Sequence, residues 1–266
     1  MQAVVTGVLE PGEVEALRAD VEMVLPREEI DDEQSTVRHA FAEFSPVARG
    51  MLLHKKYIDI QMLLLGVTPG VDDEELTVHR SAAIVRKPGA GKDGGASSPW
   101  HSDFTGYEPL PLMNASVHLN RGEGPNGKWF YLNGAHPRRG GLAIVAESHL
   151  ESYEPPPGFR WADGRARSSL ERLKDDGEWV SAASDFDIPG VVPIYCGPQD
   201  LIIFAARTMH AAFPVPDDFP DVRHSVGVGL RSTRSLQGDF EGATVSECPW
   251  PIPDSAQRVI EETRGT

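Results

Sequence analysis

A succession of short strand patterns, running from residue 76 to residue 231, most constrains the fold of this chain. The patterns are rich in branched and aromatic side chains, and turns containing Gly, Pro or Asp separate them. Two helical patterns precede them. Helices followed by about eight short strands predict an antiparallel barrel or a double-sheet jelly roll backed by helices.

The strand patterns all share short length and apolar content. They cover Leu76–Arg80, Ala82–Arg86, the segment around His101, Leu112–Leu119, Lys128–Leu132, Leu142–Ala146, Val191–Tyr195, Leu201–Ala205 and Arg223–Arg231. In the last of these, apolar and small or polar residues alternate strictly, as in a strand with one buried face.

The segments outside the strand series complete a predicted single domain over residues 1–266, with helices in about 11–66 and a core in about 76–235. Pro11–Leu25 has apolar residues at helical spacing, and Pro46–Leu65 repeats that pattern before Gly66. Residues 151–188 carry three consecutive prolines and many charges. They predict a lid-like insertion with a short helix near Ser168–Lys174.

Charge and composition exclude several classes of function. The net charge of −15 and the pI of about 5.0 predict repulsion from nucleic acids and anionic membranes. No apolar run is long enough to span a bilayer, and Met1–Val5 does not begin a signal peptide. Cys196 and Cys248 lie far apart and predict unpaired thiols in the cytoplasm, without a zinc–thiolate site.

The segment Ser98–Phe104 contains the first candidate site residues. Because side chains alternate along a strand, His101 and Asp103 point the same way. They would form two-thirds of the two-histidine, one-carboxylate set that holds Fe(II) and leaves positions open for other ligands. Alone the motif is weak, since about 0.6 such triplets are expected by chance in this composition.

A third ligand and a cationic residue follow further along the chain. His210 comes after the apolar strand Leu201–Ala205, which places it at a barrel rim. Arg223 begins the next strand, and it shares a face with Ser225 and two glycines that leave room for a ligand. Its guanidinium could bind a carboxylate through two hydrogen bonds.

These segments resemble the phytanoyl-CoA dioxygenase-like family of Fe(II)/2-oxoglutarate oxygenases over most of the chain. The similarity lies in the order and spacing of the opening helix, the His101 element, the strand of Asn114, the Gly140–His149 segment and the His210 element. The resemblance implies a mainly β fold with flanking helices, namely a double-stranded β-helix (cupin-like jelly roll).

The resemblance also implies roles for individual residues. It implies Fe(II) held by His101, Asp103 and His210, 2-oxoglutarate bound by Arg223, and O2 as the second cosubstrate. Asn114 would assist cosubstrate binding. Two positions depart from the family's pattern: Glu147 stands where a glycine is usual before Ser148, and Ala212 stands where a serine is frequent two residues after the distal histidine.

The function expected from the resemblance is oxidation of an unactivated C–H bond of a small molecule, with release of succinate and CO2. The presence of Asp103 favours hydroxylation, or a desaturation or cyclisation variant, over halogenation. A secondary metabolite or a modified amino acid is the expected substrate. Trp100 and Phe104 are candidate substrate contacts, whereas His118, His136, His149 and His224 are expected to be structural or surface residues.

Two other classes of protein remain open. A jelly-roll protein that binds a small molecule without turnover would keep the same scaffold, although a complete His-Asp-His-Arg set is unusual in such a protein. A metal-dependent cupin enzyme would act without a cosubstrate, and it would not need Arg223. The sequence does not indicate an oligomeric state.

Overall fold

The structure is a computed structural model that describes residues 2–32, 35–39, 41–51, 57, 60, 76–91, 98–102, 126–150, 152–162, 169–182, 185–205, 208–232 and 250–251. Three α-helices have both ends among the described residues of the N-terminal part: α1 (Pro11–Val24), α2 (Phe41–Phe44) and α3 (Pro46–Met51). Residues 57 and 60 are also helical, and most of the remaining predicted second helix lies outside the described residues.

The amphipathic pattern at the N-terminus forms helix α1, as predicted. Pro11 occupies the first turn, where its missing N–H costs no hydrogen bond. The side chain of Glu13 accepts a hydrogen bond from the backbone N–H of Glu10 at 2.8 Å, which caps the helix. Val14, Leu17 and Val21 form the buried stripe of the helix and contact the outer face of the larger sheet.

The described strands pair only in antiparallel fashion, and most of them are short, β3 with 11 and β13 with 10 residues being the long ones. They are β1 (Gln2–Val5), β2 (Thr36–His39), β3 (Leu76–Arg86), β4 (Ser98–His101), β5 (Asn126–Tyr131), β6 (Leu142–Val145), β7 (Phe159–Trp161), β8 (Leu170–Leu173), β9 (Trp179–Ser181), β10 (Val191–Pro193), β11 (Leu201–Ala205), β12 (His210–Ala212), β13 (Arg223–Ser232) and β14 (Trp250–Pro251).

Two sheets form the double-stranded β-helix. The larger sheet has the order β1-β11-β5-β13-β3-β14, with β2 also paired to β3, and the smaller sheet has the order β10-β6-β12-β4. Among the described strands, β3 to β6 and again β10 to β13 belong alternately to the larger and the smaller sheet. This alternation places the starts of β12 and β13 beside the ends of β4 and β3.

The described residues form three hydrophobic clusters, and neighbouring residues of a strand belong to different clusters because their side chains point to opposite faces. Phe130 faces helix α1, whereas its neighbours Trp129 and Tyr131 face the space between the sheets. A third cluster lies on the outer face of the smaller sheet and packs against the segment between β6 and β10. Strand β11 is buried throughout because it lies between the helix and the opposing sheet.

The segment between β6 and β10 contains a three-stranded sheet, β7-β8-β9, within the region predicted as an insertion. The short helix predicted near Ser168–Lys174 is wrong, because Leu170–Leu173 is strand β8. Gly177 adopts a φ of 86° in the turn to β9, and Arg160 pairs with Glu171 across the neighbouring strands at 2.7 Å. The hairpin pairing overrides the helix propensity of this Leu-, Glu- and Arg-rich sequence.

In the described part of the chain, no helix has the length and apolar character that a bilayer crossing requires.

Candidate metal centre and cosubstrate pocket

The two histidines singled out in the sequence lie next to each other in the structure. His101 is the last residue of β4, His210 is the first residue of β12, and the two are paired in register. Their ring centroids are 4.3 Å apart, and the ring planes are inclined by 50°. Since a metal–imidazole bond is about 2.1 Å long, this separation lets both rings reach one ion.

A backbone carbonyl orients each of the two imidazoles. Nδ1 of His101 lies 2.7 Å from the carbonyl oxygen of Pro99, and Nδ1 of His210 lies 2.9 Å from that of Thr208. Because a carbonyl only accepts hydrogen bonds, Nδ1 carries the proton in both rings. Nε2 therefore has the lone pair, which is the tautomer that metal-binding histidines adopt.

The start of β12 is held by hydrogen bonds to the turn after β6. The hydroxyl of Ser148 accepts a hydrogen bond from the N–H of Met209 at 2.9 Å and donates one to the carbonyl of Val145 at 2.8 Å. The N–H of Val145 also donates to the carbonyl of Met209 at 2.9 Å. These buried contacts fix the backbone immediately before His210.

The remaining predicted ligand, Asp103, lies outside the described residues, as do Phe104 and Asn114. Within the described ranges, no group of three or more His, Cys, Asp or Glu side chains is placed to hold a metal ion. The structure therefore brings two of the predicted ligands together, and the third follows His101 by two residues in the sequence. The paired rings and their tautomer fit the donor set that Fe(II) requires.

A small cavity of about 80 Å³ lies beside the two histidines, between the sheets. His101 and His210 form one wall, and residues of the larger sheet form the opposite wall. Its described lining residues are Ile84, Arg86, His101, Trp129, Tyr131, Leu142, His210, Ala211, Ala212 and Ser225. This lining is largely apolar and contains a guanidinium, as expected for a pocket that binds a small anion.

Arg223 is fully buried at the start of β13, next to this cavity. Its guanidinium carbon lies 4.7 Å from the centre of the Tyr131 ring, and its Nη1 donates a hydrogen bond to the carbonyl of Gly140. Among the described residues, Nε and Nη2 of Arg223 have no hydrogen-bond partner. A buried guanidinium in this state is costly unless an anion completes its hydrogen bonds.

Arg86 is a cavity residue that the sequence analysis did not single out. It ends β3 directly opposite Arg223, and it is 4% exposed. Burial lowers the pKa of Arg86 to about 10, so its guanidinium is charged near pH 7. Burial raises the pKa of Tyr131 to about 12, so its hydroxyl is neutral at that pH. The sequence did contain a signal for Arg86, because side chains that alternate along the strand Ala82–Arg86 put Arg86 on the same face as Ile84.

Trp100, a predicted substrate contact, packs away from the cavity. It lies on the face of β4 opposite to His101, where its ring is 5.6 Å from that of Phe186. Its indole N–H donates to the carbonyl of Asp185 at 2.6 Å. Trp100 therefore joins β4 to the segment before β10.

The described histidines expected to be structural lie away from the cavity lining. Nδ1 of His136 accepts a hydrogen bond from the N–H of Arg138 at 3.0 Å, next to the ring of Tyr195. His224 is buried on the helix side of β13, opposite to Arg223. Burial, assisted by the charge of Arg18, lowers the pKa of His224 to about 4. His118 lies outside the described residues.

Both departures from the family's pattern have visible structural consequences. Glu147 has a φ of 62°, and among the described residues it is the only non-glycine with a positive φ. The usual glycine would adopt this conformation without strain. Ala212 lines the cavity with a methyl group, so it offers no hydroxyl to a ligand.

The fold and the paired histidines define the class of protein: a double-stranded β-helix with a candidate metal centre. The family model described as phytanoyl-CoA dioxygenase (PhyH) matches residues 2–219. The chain therefore belongs to this family, whose members use Fe(II), 2-oxoglutarate and O2. No curated protein matches the chain.

Several solved structures share the fold. HygX from Streptomyces hygroscopicus, with nickel and 2-oxoglutarate bound, is 17% identical and has a TM-score of 0.62 over 97% of this chain and 94% of its own. The epimerase SnoN from nogalamycin biosynthesis, in complex with Fe3+, alpha-ketoglutarate and nogalamycin RO, is 18% identical and has a TM-score of 0.54. The match covers 95% of this chain and 91% of SnoN. The carbocyclase SnoK from the same biosynthesis is 23% identical and has a TM-score of 0.55. The match covers 86% of this chain and 80% of SnoK.

Proposed function

We propose that this protein is an Fe(II)/2-oxoglutarate-dependent dioxygenase that hydroxylates an unactivated C–H bond of a small molecule. The observation that carries the proposal is the pairing of His101 and His210 at one end of a cavity, with a buried arginine beside it. Family membership supports the same class of reaction. The products would be the hydroxylated substrate, succinate and CO2.

In this proposal, His101, Asp103 and His210 hold the iron through two imidazole nitrogens and one carboxylate. When bound, the iron would activate O2 as the oxidant, with 2-oxoglutarate giving two electrons on its conversion to succinate and CO2 and the substrate giving the other two, so that one oxygen atom would enter succinate and the other the new hydroxyl group. The carbonyls of Pro99 and Thr208 keep the two rings oriented with Nε2 toward the ion.

The cosubstrate would lie in the cavity between the histidines and the larger sheet. Arg223 would bind its distal carboxylate through Nε and Nη2, which lack partners among the described residues. Asn114 would assist from the adjoining predicted strand. The rings of Trp129 and Tyr131 form part of the wall, and they would exclude water from the reacting centre.

The proposed substrate is a secondary metabolite or a modified amino acid. Similar structures include HygX with hygromycin B bound and SnoN with nogalamycin RO bound, which are small molecules of this kind. The net charge of −15 argues against nucleic acid and anionic membranes as partners. We further propose that the chain acts in the cytoplasm as a single domain, in which the half-buried Cys196 is a free and unreactive thiol.

The direct test is succinate release by the purified protein supplied with Fe(II), 2-oxoglutarate and O2 and a panel of candidate metabolites. We expect release to depend on the metal and on 2-oxoglutarate, and to rise with the true substrate. Mass spectrometry should then show one added oxygen atom in that substrate. Lack of succinate release throughout would favour the non-catalytic binding protein.

A variant separates the proposal from an enzyme that uses the metal without a cosubstrate. Arg223→Ala should abolish or strongly weaken the activity of a 2-oxoglutarate oxygenase, because the distal carboxylate loses its partner. Unchanged activity of Arg223→Ala on the same substrate would contradict the proposal.

A further inference from the structure

The described backbone pairing of β4 fixes the register of this strand only weakly. Among the described strands, β4 is the edge of the smaller sheet and pairs only with β12. His101 lies opposite His210, and Ser98 lies opposite Ala212, so three steps along β4 match two along β12. Because side chains alternate along a strand, a shift of one residue would turn His101 away from His210 and would turn Trp100 inward.

Aromatic packing behind the smaller sheet opposes such a shift. Trp100 is 2% exposed, and its ring lies 5.6 Å from that of Phe186. Its indole N–H donates a hydrogen bond to the carbonyl of Asp185 at 2.6 Å. A shift of register would remove the indole from this buried position and would break the hydrogen bond. Both changes are unfavourable, so the packing of Trp100 holds His101 on the face of His210.

The ring of Phe186 contacts aromatic residues of both segments that carry the histidines. Besides its contact with Trp100, it stacks on the ring of Phe213, with a centroid distance of 4.2 Å and an angle of 20° between the planes. Trp100 directly precedes His101 in β4, and Phe213 directly follows β12, which begins with His210. A single aromatic ring therefore joins β4 to β12 on the face opposite to the histidines.

The segment that carries Phe186 is anchored on both of its sides. Nη1 of Arg172, in β8, lies 3.3 Å from Oδ2 of Asp185 and 3.4 Å from Oδ2 of Asp187. Ile188 is buried in the same hydrophobic cluster as Trp100, and the chain then continues into β10, which pairs with β6. Phe186 is therefore linked to the three-stranded sheet β7-β8-β9 and to the smaller sheet.

We propose that Phe186 is a positioning residue for the metal centre, through which the segment between β6 and β10 braces β4 against β12. This inference rests on the proposed function, since it assumes that His101 and His210 bind one ion. The ion binds only molecules in which the two rings lie side by side. By raising the fraction of the metal-free protein in that state, Phe186 raises the apparent metal affinity by the same factor.

The test combines metal binding with hydrogen exchange of the metal-free protein. Calorimetric titration measures the affinity for Ni(II), and mass spectrometry follows amide exchange in peptides that cover residues 98–101 and 208–213. The variants are Phe186→Ala and Phe186→Tyr, the second of which keeps the ring. Phe159→Ala is the matched control. Phe159 is also half-buried in the same segment and cluster, but among the described rings its own is not paired with that of Trp100 or Phe213.

We expect Phe186→Ala to weaken Ni(II) binding by roughly 10-fold, which corresponds to a fall of the correctly paired fraction to about a tenth. Exchange in both peptides should become faster, whereas exchange in β11 should change far less. Phe186→Tyr should bind Ni(II) within about threefold of the original protein, because the stacked ring is kept. Phe159→Ala should also bind within about threefold, although it loses comparable stability in urea unfolding.

Unchanged Ni(II) affinity in Phe186→Ala would overturn the inference, as would a loss of affinity without faster exchange in the two peptides. Equal losses of affinity in Phe186→Ala and Phe159→Ala would also overturn it, because that pattern indicates general loosening of the fold. If Phe186→Ala does not fold, Phe186→Leu decides the question, since leucine is apolar but has no ring to stack. Failure of the original protein to bind Ni(II) would refute the proposed function itself, and the exchange of the two peptides would still decide whether Phe186 holds β4 against β12.

Discussion

His101 and His210 are distant in sequence, but they pair directly across β4 and β12, with ring centroids 4.3 Å apart. Neither strand belongs to the larger sheet, so the candidate metal centre depends on pairing within the smaller sheet. A backbone carbonyl two residues earlier orients each ring in the same way. The geometry of the histidine pair is thus determined by two short strands, and any contact that holds β12 in place also holds this pair in place.

Ser148 tests this dependence. Ser148→Ala removes the acceptor of the Met209 N–H and leaves this buried donor without its partner, at a cost of about 1–3 kcal/mol in the free energy of unfolding. Because Met209 precedes His210, affinity for Ni(II) should fall as well. Chemical denaturation and calorimetric titration measure the two effects.

The control for this prediction is Ser152→Ala, which removes a hydroxyl from an exposed position in the same segment. It should change stability by less than about 0.5 kcal/mol and leave metal affinity unaltered. If Ser148→Ala lost stability but bound Ni(II) as tightly as the original protein, Ser148 would support the fold without positioning His210.

Glu147 adopts a left-handed backbone conformation that glycine accepts more readily. The strain of a non-glycine residue there is about 1–2 kcal/mol, and glycine loses up to about 1 kcal/mol through the entropy of the unfolded chain. Glu147→Gly should therefore raise the free energy of unfolding by about 0–2 kcal/mol. Glu147→Ala keeps the strain and should give no gain, and a marked loss in Glu147→Gly would contradict the strain argument.

Arg223 should lower the stability of the protein without ligands. Its buried guanidinium has two nitrogens that lack partners among the described residues, so Arg223→Met should be neutral or should stabilise the ligand-free protein by about 1–2 kcal/mol. The same variant should bind 2-oxoglutarate at least about tenfold more weakly. A loss of several kcal/mol in thermal or chemical unfolding would instead show that Arg223 has a mainly structural role.

His224 should make the fold sensitive to acid. Burial lowers its pKa to about 4 in the folded protein, whereas in the unfolded chain its pKa is about 6.5. As the pH falls below about 6.5, the unfolded chain takes up a proton that the folded protein refuses, so stability decreases until about pH 4, by roughly 3 kcal/mol at most.

In the variant His224→Gln the side chain at position 224 cannot take up a proton. The variant therefore separates the effect of His224 on acid stability from the effect of the carboxylates. Its loss of stability between pH 7 and pH 5 should be smaller than that of the original protein, as measured by urea unfolding at each pH. The salt-bridge partner, Glu22, lies 3.9 Å from Nε2 of His224, too far for a hydrogen bond that would favour the charged ring. An equal loss in both proteins would refute the assignment.

The sequence predicted the strand series and the fold well, because short alternating and apolar runs carry their own signal. The runs at Leu142–Val145 and Leu201–Ala205 are strands, as predicted, and both are fully buried. Strand alternation likewise placed Arg223 on an inward face and His224 on the opposite one. This periodicity can be recognised in the sequence without knowing which strands pair.

The features that the sequence missed depend on pairing between distant segments. Arg86 looked like the polar end of an ordinary strand, and only its register with Arg223 brings it to the cavity. The helix predicted near Ser168–Lys174 is wrong for the same reason, because pairing with β7 and β9 makes Leu170–Leu173 a strand. After β8 the chain turns back, and Nζ of Lys174 pairs with the carboxylate of Glu178 at 3.3 Å across the turn.

Metal binding by the histidine pair tests the central claim most directly. Calorimetric titration with Ni(II), and with Fe(II) in the absence of oxygen, should show one ion per chain. His101→Ala and His210→Ala should each lower the affinity at least about 100-fold, whereas His39→Ala, on the exposed strand β2, should bind like the original protein. Unaltered affinity in His210→Ala would contradict the account, because the ion would then lie somewhere other than between β4 and β12.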